Sequence, residues 1–245
     1  MKKEDLGGIT LFCSDIHRFG TDAVLLEYFA NNKKFKNACD IGTGCGIIAL
    51  LLARDSKTAS ITAVDIQPDA IALVKSAVDE NGLADRVAPL CCDVKSLPKQ
   101  MNGKYDLVVC NPPYKKHGAG LTTGCDGIDI ARMEIKCEFS DIAAAAAMLL
   151  MPNGRFCVCN RPERLCDVIC AMNEYGISPK RLRMISNEAG SSPMLFLCEG
   201  VKGAKDGIKI LPELYLKENG KDSKEIELIY KNWREHLSRK CEEEQ

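Results

Sequence analysis

The segment Asp40-Ile41-Gly42-Thr43-Gly44-Cys45-Gly46 places three glycines at alternate positions, immediately after a short apolar run that begins at Asn37. A helix-like pattern opens directly from this turn and covers Cys45 to Arg54. Glycine adopts backbone conformations that other residues avoid, and it lets the main chain approach a ligand closely. The spacing differs from the glycine pattern of a dinucleotide pyrophosphate site. We therefore predict a strand, a ligand-binding turn and a helix in this order.

Strand-like and helix-like segments alternate along the rest of the chain. Further strands are predicted to begin near residues 60, 86, 105, 155, 180 and 193, and helices are predicted between most of them. Pro68 stands where a first helical turn would begin, and Asn81-Gly82 ends the same helix. This alternation indicates an α/β fold with a doubly wound, mostly parallel sheet and helices on both faces.

Two further helices are predicted outside this alternating region. One covers residues 21–31, with Thr21 or Asp22 able to cap its start. The other is a charged helix over residues 223–244. We predict an N-terminal extension over residues 1–36 that covers the ligand site, a core domain over residues 37–210, and a C-terminal extension over residues 211–245. The three parts are expected to form a single compact domain.

Composition indicates a soluble globular protein. The chain has 245 residues, of which 46% are apolar and 27% are charged, and a chain of this length can bury one substantial core. No window approaches the length of a membrane span, and the charged start of the chain leads into no apolar signal-peptide core. We therefore expect a cytoplasmic protein without a membrane partner.

The fourteen cysteines raise the question of disulfides or a zinc site. No two cysteines are separated by two residues as in a zinc knuckle, and the three histidines are scattered. Several cysteines instead fall in apolar strand-like or helix-like runs, namely Cys39, Cys110, Cys157, Cys159, Cys166, Cys170 and Cys198. Reduced cysteines used as small buried apolar side chains are favoured over a metal site, so we expect no metal and a reducing compartment.

A second informative segment closes the strand-like run Tyr105–Cys110 with the residues Asn111-Pro112-Pro113-Tyr114. Each proline biases the residue before it towards an extended backbone, and neither proline has an N–H group. The segment therefore presents the Asn111 side-chain oxygen and the Pro112 carbonyl as acceptors. An ordinary Pro-Pro turn at the end of a strand is the alternative interpretation.

Paired acceptors of this kind suit chemistry at a planar nitrogen. The amine of adenine, or a carboxamide, is a poor nucleophile because its lone pair is delocalised into the π-system. Two acceptors that hold both N–H groups would localise the lone pair, and the Tyr114 ring would stack on an extruded base. Together with the upstream glycine turn, Asn111 to Tyr114 favour an S-adenosylmethionine-dependent enzyme that methylates a planar nitrogen.

Two aspartates stand where later strands end. Asp65 ends the second strand and is placed to accept hydrogen bonds from two ribose hydroxyls. Asp93 follows the third strand, where it could contact the adenine amine of the cofactor, with Val94 beside the ring. Aspartates at strand ends are also common turn formers and helix caps, and that alternative is strongest for Asp93.

Basic residues are clustered although the formal net charge is −1. Lys115-Lys116-His117 directly follow the Asn-Pro-Pro-Tyr segment, and further clusters occupy residues 180–183 and 202–209. A basic rim around an active-site mouth would bind phosphates of a nucleic acid. Ordinary solvated surface is the alternative, above all for the two later clusters, where Arg181 and Arg183 are candidate RNA contacts.

These motifs, in this order and spacing over residues 37–199, resemble those of the class I methyltransferases. The Asn-Pro-Pro-Tyr form narrows the resemblance to enzymes that methylate an amino group of adenine, guanine or glutamine. Three other segments are similar to the bacterial tRNA1(Val) adenine-N(6)-methyltransferase family, namely Arg18-Phe19-Gly20-Thr21-Asp22-Ala23, Ala131-Arg132-Met133-Glu134 and Glu199-Gly200-Val201-Lys202-Gly203-Ala204-Lys205.

The resemblance implies a Rossmann-like sheet of about seven strands with one antiparallel strand near an edge. It also implies methylation of the adenosine on the 3′ side of the tRNA anticodon. The cofactor would be S-adenosylmethionine, held by residues of the glycine turn and of the strand ends: Thr21, Asp22, Asp40, Gly42, Gly44, Gly46, Asp65, Ile66, Asp93, Val94 and Asn111. Thr21 and Asp22 would close over its methionine end.

By the same resemblance, the catalytic residues are Asn111, Pro112 and Tyr114. RNA would contact Pro113, Lys115, Lys116 and Arg132. A helical salt bridge between Arg132 and Glu134 is an equal alternative for the role of Arg132. The partner is tRNA, and the protein is expected to act as a monomer or homodimer.

Three rival functions remain open at this point. A glutamine methyltransferase acting on release factors resembles the chain at the same motif, but that family carries a sizeable N-terminal helical domain for which about 36 residues leave no room. A ribosomal RNA guanine methyltransferase is the second rival. The third is a non-catalytic cofactor-binding RNA chaperone, which would have no need of paired acceptors for an amine.

Overall fold

The computed structural model describes residues 1–56, 59–113 and 138–231. Its principal strands are β1 Lys2–Asp5, β2 Thr10–Cys13, β3 Asn37–Ile41, β4 Ser60–Asp65, β5 Val87–Cys91, β6 Tyr105–Cys110, β7 Leu150–Asn160, β8 Ile177–Ser186 and β9 Leu195–Lys202. Four two-residue strands follow: β10 Lys209–Ile210, β11 Leu214–Tyr215, β12 Lys217–Glu218 and β13 Lys221–Asp222. The helices are α1 Thr21–Ala30, α2 Ile47–Asp55, α3 Pro68–Glu80, α4 Phe139–Leu149 and α5 Leu165–Glu174, and residues 224–231 are also helical.

The central feature is a nine-stranded sheet with the order β10-β8-β9-β7-β6-β3-β4-β5, in which β11 also pairs with β8. Strand β9 runs antiparallel to both of its neighbours, β7 and β8, whereas the other pairs in this sheet are parallel. The predicted mostly parallel α/β sheet, with one antiparallel strand towards an edge, is therefore confirmed. The chain winds from β3 to β4 and β5 on one side, and then crosses to β6 and β7 on the other.

The switch in winding direction lies between β3 and β6, which are paired from Ala38↔Leu107 to Ile41↔Cys110. In open α/β sheets, ligands bind beyond the carboxyl ends of the strands at such a switch point. The glycine turn follows β3 and the Asn111 segment follows β6, so the topology brings both segments to one edge.

Two apolar layers cover the sheet. Residues 107–110 of β6 are fully buried, as expected for a parallel strand with both faces covered. One layer contains buried residues of α1, α2 and α3, including Leu26, Leu51 and Val74. The other contains residues of α4 and α5, including Ala146, Leu149 and Met172. The sheet edge that holds the candidate site is thus supported by packed side chains on both faces.

Some predicted boundaries shift, with local causes. Helix α2 begins at Ile47 rather than Cys45, because Gly46 has a left-handed φ of 86° and so cannot belong to the helix. The prediction that Thr21 or Asp22 caps α1 is wrong. Gly20 is the N-cap residue, and no side chain caps this helix end. Both Thr21 and Asp22 lie inside the first turn of α1.

A buried charge cluster fixes the far end of α1 to the sheet. Arg155 of β7 donates from Nη1 to the Ala30 carbonyl at 2.9 Å and to Glu199 Oε2 at 3.0 Å. Arg181 of β8 donates to the Phe29 carbonyl at 2.9 Å, and its guanidinium lies 4.2 Å from the Phe29 ring centroid. Because the last carbonyls of a helix lack intrahelical partners, these arginines satisfy them and hold α1 in place.

The cysteines that were predicted to be buried are buried in the strands but not in α5. Those buried as apolar side chains are Cys13, Cys39, Cys45, Cys110, Cys157, Cys159 and Cys198. Cys166 and Cys170 are exposed, because they fall on the solvent face of α5. Within residues 1–56, 59–113 and 138–231, no cluster of three or more His, Cys, Asp or Glu side chains could hold a metal ion. None of the helices in these ranges is long and apolar enough to cross a bilayer.

Candidate active site

The glycine turn after β3 has a backbone that only glycine adopts easily. Gly42, Gly44 and Gly46 have φ angles of 69°, 55° and 86°. A Cβ atom placed on Gly46 would lie 3.0 Å from Val74 Cγ2 of α3, so this glycine also permits close packing. A Cβ atom on Gly42 or Gly44 would meet no described atom within 4 Å. The turn therefore presents bare backbone to open space at the sheet edge.

Asp65 is locked against this turn. Its side chain is buried, with Oδ2 accepting from the Gly44 N–H and Oδ1 from the Gln67 N–H, both at 2.9 Å. A carboxylate offers about four acceptor positions, so the two oxygens retain capacity for a ligand. The next residue, Ile66, is 46% exposed although it is large and apolar. Asp65 and Ile66 thus offer a ligand a polar group and an apolar surface side by side at the end of β4.

Asp40 is a buried carboxylate at the base of the turn. Oδ2 accepts a 2.6 Å hydrogen bond from the Thr43 hydroxyl, whereas Oδ1 forms no hydrogen bond of good geometry with any described residue. Burial raises the pKa of Asp40 to about 7, and hydrogen bonds from the Thr43 hydroxyl and the Ala49 N–H oppose this rise. A positively charged or hydrogen-bonding ligand at the turn would therefore compensate an otherwise unsatisfied buried oxygen.

Asp93 shapes the turn in which it lies. Its Oδ1 accepts from the Lys95 N–H at 2.9 Å, and it is the N-cap residue of the short 3-10 turn Val94–Ser96. Val94 is half-buried and packs against the apolar layer that contains α4. The turn-forming alternative is thus realised, and a contact between Asp93 and a cofactor adenine stays a prediction.

Asn111 leaves the sheet directly after β6 and is half-buried, whereas Pro112 is buried and Pro113 is exposed. The Asn111 side-chain Nδ2 donates a 2.9 Å hydrogen bond to Asp22 Oδ2, across a separation of 89 residues in sequence. Thr21, beside Asp22, is exposed. Four residues predicted from the sequence lie outside the described residues: Tyr114, Lys115, Lys116 and Arg132.

Two candidate RNA contacts belong instead to structural ion pairs. Arg181 pairs with the buried Glu199 at 3.1 Å. Arg183 forms a bidentate pair with Glu225, with N···O distances of 2.6 and 2.7 Å. Both arginines lie on β8, away from the switch point, and their guanidinium groups serve tertiary contacts. We therefore leave them out of the candidate RNA surface.

One residue that the sequence argument missed lies beside the site. The pairing of Cys110 with Val158 places the carboxyl ends of β6 and β7 side by side, so Asn160 lies level with Pro112. Asn160 is buried, and its side-chain oxygen accepts from the Arg161 N–H at 2.8 Å. Arg161 is exposed at the same edge. The sequence signal that could have identified this residue is an asparagine at the end of a predicted strand, followed by an arginine.

Comparisons with known proteins show which family and which proteins this chain resembles in sequence. A family model described as the methyltransferase small domain matches residues 8–164. A protein of Flavobacteriaceae bacterium (strain 3519-10), named tRNA1(Val) (adenine(37)-N6)-methyltransferase, is 30% identical over 217 residues, which cover 83% of this chain and 90% of that protein.

Solved structures show the same fold. A predicted O-methyltransferase, protein Atu636 from Agrobacterium tumefaciens, superposes with a TM-score of 0.70 at 17% identity, over 86% of this chain and 96% of that one. Geranyl diphosphate methyltransferase, solved in complex with SAM, superposes with a TM-score of 0.55 at 12% identity. The alignment covers 74% of this chain and 84% of that enzyme.

Proposed function

Because this chain belongs to the methyltransferase small domain family, we propose that it is an S-adenosylmethionine-dependent enzyme that methylates the exocyclic amine of an adenine in tRNA. The observation that carries the proposal is the pairing of β3 with β6, which places the glycine turn and Asn111 at the same switch point. A cofactor site and a pair of amine acceptors then share one edge of the sheet. We place this activity in the cytoplasm, in a monomer or homodimer.

The residues present fit S-adenosylmethionine, which supplies an electrophilic methyl group on a sulfonium when bound. The open backbone of Gly42 and Gly44 admits a ligand without steric conflict. Asp65 is fixed by two backbone N–H groups and retains acceptor capacity for ribose hydroxyls. Asp40 Oδ1, which makes no hydrogen bond of good geometry with the described residues, would accept one from a polar or cationic group near the turn. Exposed Ile66 provides apolar surface for a planar base.

At the target nitrogen, the hydrogen-bond acceptors of this chain would provide most of the catalytic effect. Asn111 Oδ1 and the Pro112 carbonyl each accept one N–H of the amine, which localises its lone pair and aims it at the methyl group. Neither acceptor needs to act as a strong base, since the nitrogen becomes acidic once it is alkylated. The acceptors bind the developing positive charge more tightly than the neutral amine, so they lower the barrier.

We propose that the N-terminal extension, residues 1–36, covers the cofactor site of the core domain, residues 37–210. One contact of the extension with the core supports this arrangement. Asp22 of α1 reaches Asn111 after β6. Residues 211–245 form the C-terminal extension, of which residues 224–231 are helical.

Replacing Asp65 with alanine is expected to weaken S-adenosylmethionine binding by about 1–3 kcal/mol, because ribose hydroxyls and two backbone N–H groups lose their acceptor. Isothermal titration calorimetry with the cofactor measures this loss. Asp69→Ala is the matched control, since Asp69 is an exposed carboxylate in the first turn of α3. Equal affinities in the Asp65→Ala variant and the wild type would remove Asp65 from the site.

The RNA is proposed to cross the carboxyl edge of β6 and β7. Lys115 and Lys116 belong to this path by sequence, and exposed Arg161 adds a positive charge beside Pro112. Pro113 is exposed at the same edge. Arg132 stays a candidate contact by resemblance alone.

Neutralising Arg161 as Arg161→Ala is expected to reduce the slope of log K against log salt concentration by about one, because one phosphate contact releases its counterions. Binding of tRNA, followed by fluorescence anisotropy over a range of KCl concentrations, measures the slope. Lys75→Ala serves as the control, since Lys75 is exposed on α3 rather than at this edge. An unchanged slope in Arg161→Ala together with unchanged affinity would place the RNA path elsewhere.

Nucleoside mass spectrometry on cells with and without the gene tests the function as a whole. Loss of N(6)-methyladenosine from tRNA is the expected result. Unchanged tRNA with a loss of methylglutamine in release factors would transfer the function to the protein-methylating rival. Loss of a methylguanine from ribosomal RNA would favour the second rival, a ribosomal RNA guanine methyltransferase.

A further inference from the structure

We propose that Asp22 is a positioning residue, which acts through Asn111 by fixing the end of the carboxamide that faces the target amine. This inference rests on the proposed function, and it gives Asp22 a role different from a direct contact with the cofactor. The geometry that points to it is the 2.9 Å hydrogen bond from Asn111 Nδ2 to Asp22 Oδ2.

The two ends of a carboxamide have nearly the same shape but opposite hydrogen-bonding character. Rotation about the last torsion of asparagine is broad and roughly two-fold, so packing alone does not select one end. With its oxygen towards the substrate, Asn111 accepts an N–H of the amine. With its nitrogen there, it would present donors to another donor, and the amine lone pair would not be localised.

A carboxylate can select one of the two orientations of the Asn111 carboxamide, because an ionised carboxylate only accepts hydrogen bonds. It binds Nδ2 of Asn111 and repels Oδ1. The correct orientation therefore gains a charge-assisted hydrogen bond, and the flipped orientation brings two oxygens together. Because Asp22 binds Nδ2, the Oδ1 atom of Asn111 is on the side of the amide that faces away from α1.

Two observations bear on the position and the charge of Asp22. A Cβ atom added to Gly20 would lie 2.5 Å from Asp22 Oδ1, so the carboxylate lies over this glycine, and an alanine there would displace the carboxylate. Asp22 also lies in the first turn of α1, where the helix dipole and unpaired N–H groups stabilise a negative charge. At the other end of the helix, Arg155 and Arg181 bind the final carbonyls.

Single-turnover methylation of tRNA, run beside calorimetric titration of S-adenosylmethionine, tests the proposal in four variants. Asp22→Ala is expected to slow methyl transfer at saturating cofactor on the order of 10²-fold, the effect of misplacing a catalytic group, with cofactor affinity unchanged. The Asp22→Ala, Asn111→Ala double variant is expected to be no slower than Asn111→Ala alone. Gly20→Ala, which displaces the carboxylate without removing it, is expected to show the same loss as Asp22→Ala.

The fourth variant, Asp22→Asn, separates selection from packing. It preserves the shape of the side chain, but its amide can bond either end of Asn111, so we expect only partial recovery of the rate. Asp167→Ala is the matched control, because Asp167 also lies in the first turn of a helix and its side chain is 47% exposed. A wild-type rate in Asp22→Asn, additive losses in the double variant, or a loss of cofactor affinity with an unchanged rate would each overturn the proposal.

A second readout does not depend on methyl transfer. The side-chain amide resonances of Asn111, assigned by their absence in Asn111→Ala, are expected to shift upfield in Asp22→Ala and to stay in place in Asp167→Ala. Unshifted resonances in Asp22→Ala would overturn the positioning role. If the wild-type protein transfers no methyl group to tRNA but the Asn111 resonances still shift in Asp22→Ala, the proposed function fails and the positioning role does not.

Discussion

Asn111→Ala is expected to slow methyl transfer by about a hundredfold or more at saturating cofactor and RNA, with little change in cofactor affinity. The substitution removes one of the two acceptors that localise the lone pair of the amine, and this interaction strengthens as positive charge develops on the nitrogen. Single-turnover kinetics with a tRNA substrate measures the rate, and calorimetry with S-adenosylmethionine measures the affinity. A lower rate of methyl transfer with an unchanged cofactor affinity is the result expected for a catalytic acceptor.

Asn102→Ala is the matched control for this variant. Asn102 is an exposed asparagine that precedes β6, whereas Asn111 follows the same strand at its carboxyl end. Its replacement is expected to leave both the rate and the affinity unchanged. Thermal midpoints of both variants show whether the loss of the bond to Asp22 affects folding. A wild-type rate in a folded Asn111→Ala enzyme would refute the proposed role of the acceptor pair.

The second large effect is expected on stability, at the buried carboxylate of Glu199. Glu199 is 1% exposed and pairs with both Arg155 at 3.0 Å and Arg181 at 3.1 Å. Glu199→Ala leaves two guanidinium groups without their counter-charge, and one of them, on Arg155, is buried. Breaking a buried ion pair from one side lowers the free energy of unfolding by about 3–5 kcal/mol. Urea unfolding at equilibrium measures this change.

Glu225→Ala provides the comparison, because Glu225 forms a similar arginine pair with Arg183 but its side chain is 35% exposed. Solvent screens that pair, so its loss is expected to lower the unfolding free energy by about 1 kcal/mol or less. Equal urea midpoints for the two variants would contradict the stabilising role assigned to the buried cluster. The same cluster holds the end of α1, so Glu199→Ala is also expected to loosen the helix that carries Asp22.

The sequence by itself determined the fold and located the glycine turn and the strand ends of the candidate site. Hydrophobic periodicity and the breakers Pro68 and Asn81-Gly82 are local signals, and α3 begins and ends where they predict. The glycine turn is local as well, since the lack of a side chain permits the positive φ angles at Gly42, Gly44 and Gly46. Strand ends could be located by the same periodicity, and this placed Asp65 and Asn111 at one edge.

Only the tertiary structure decided which side chains meet. Asp22 was expected to cap its helix, which is wrong, and its side chain instead accepts a hydrogen bond from Asn111, 89 residues away. Its contact with the cofactor stays a prediction. Arg181 and Arg183 were candidate RNA contacts by charge, but acidic residues from other elements, Glu199 and Glu225, bind them. A sequence pattern shows the periodicity of apolar and polar residues within one helix or strand. The partner of a charged or amide side chain depends on how separate elements pack, and no local pattern contains that information.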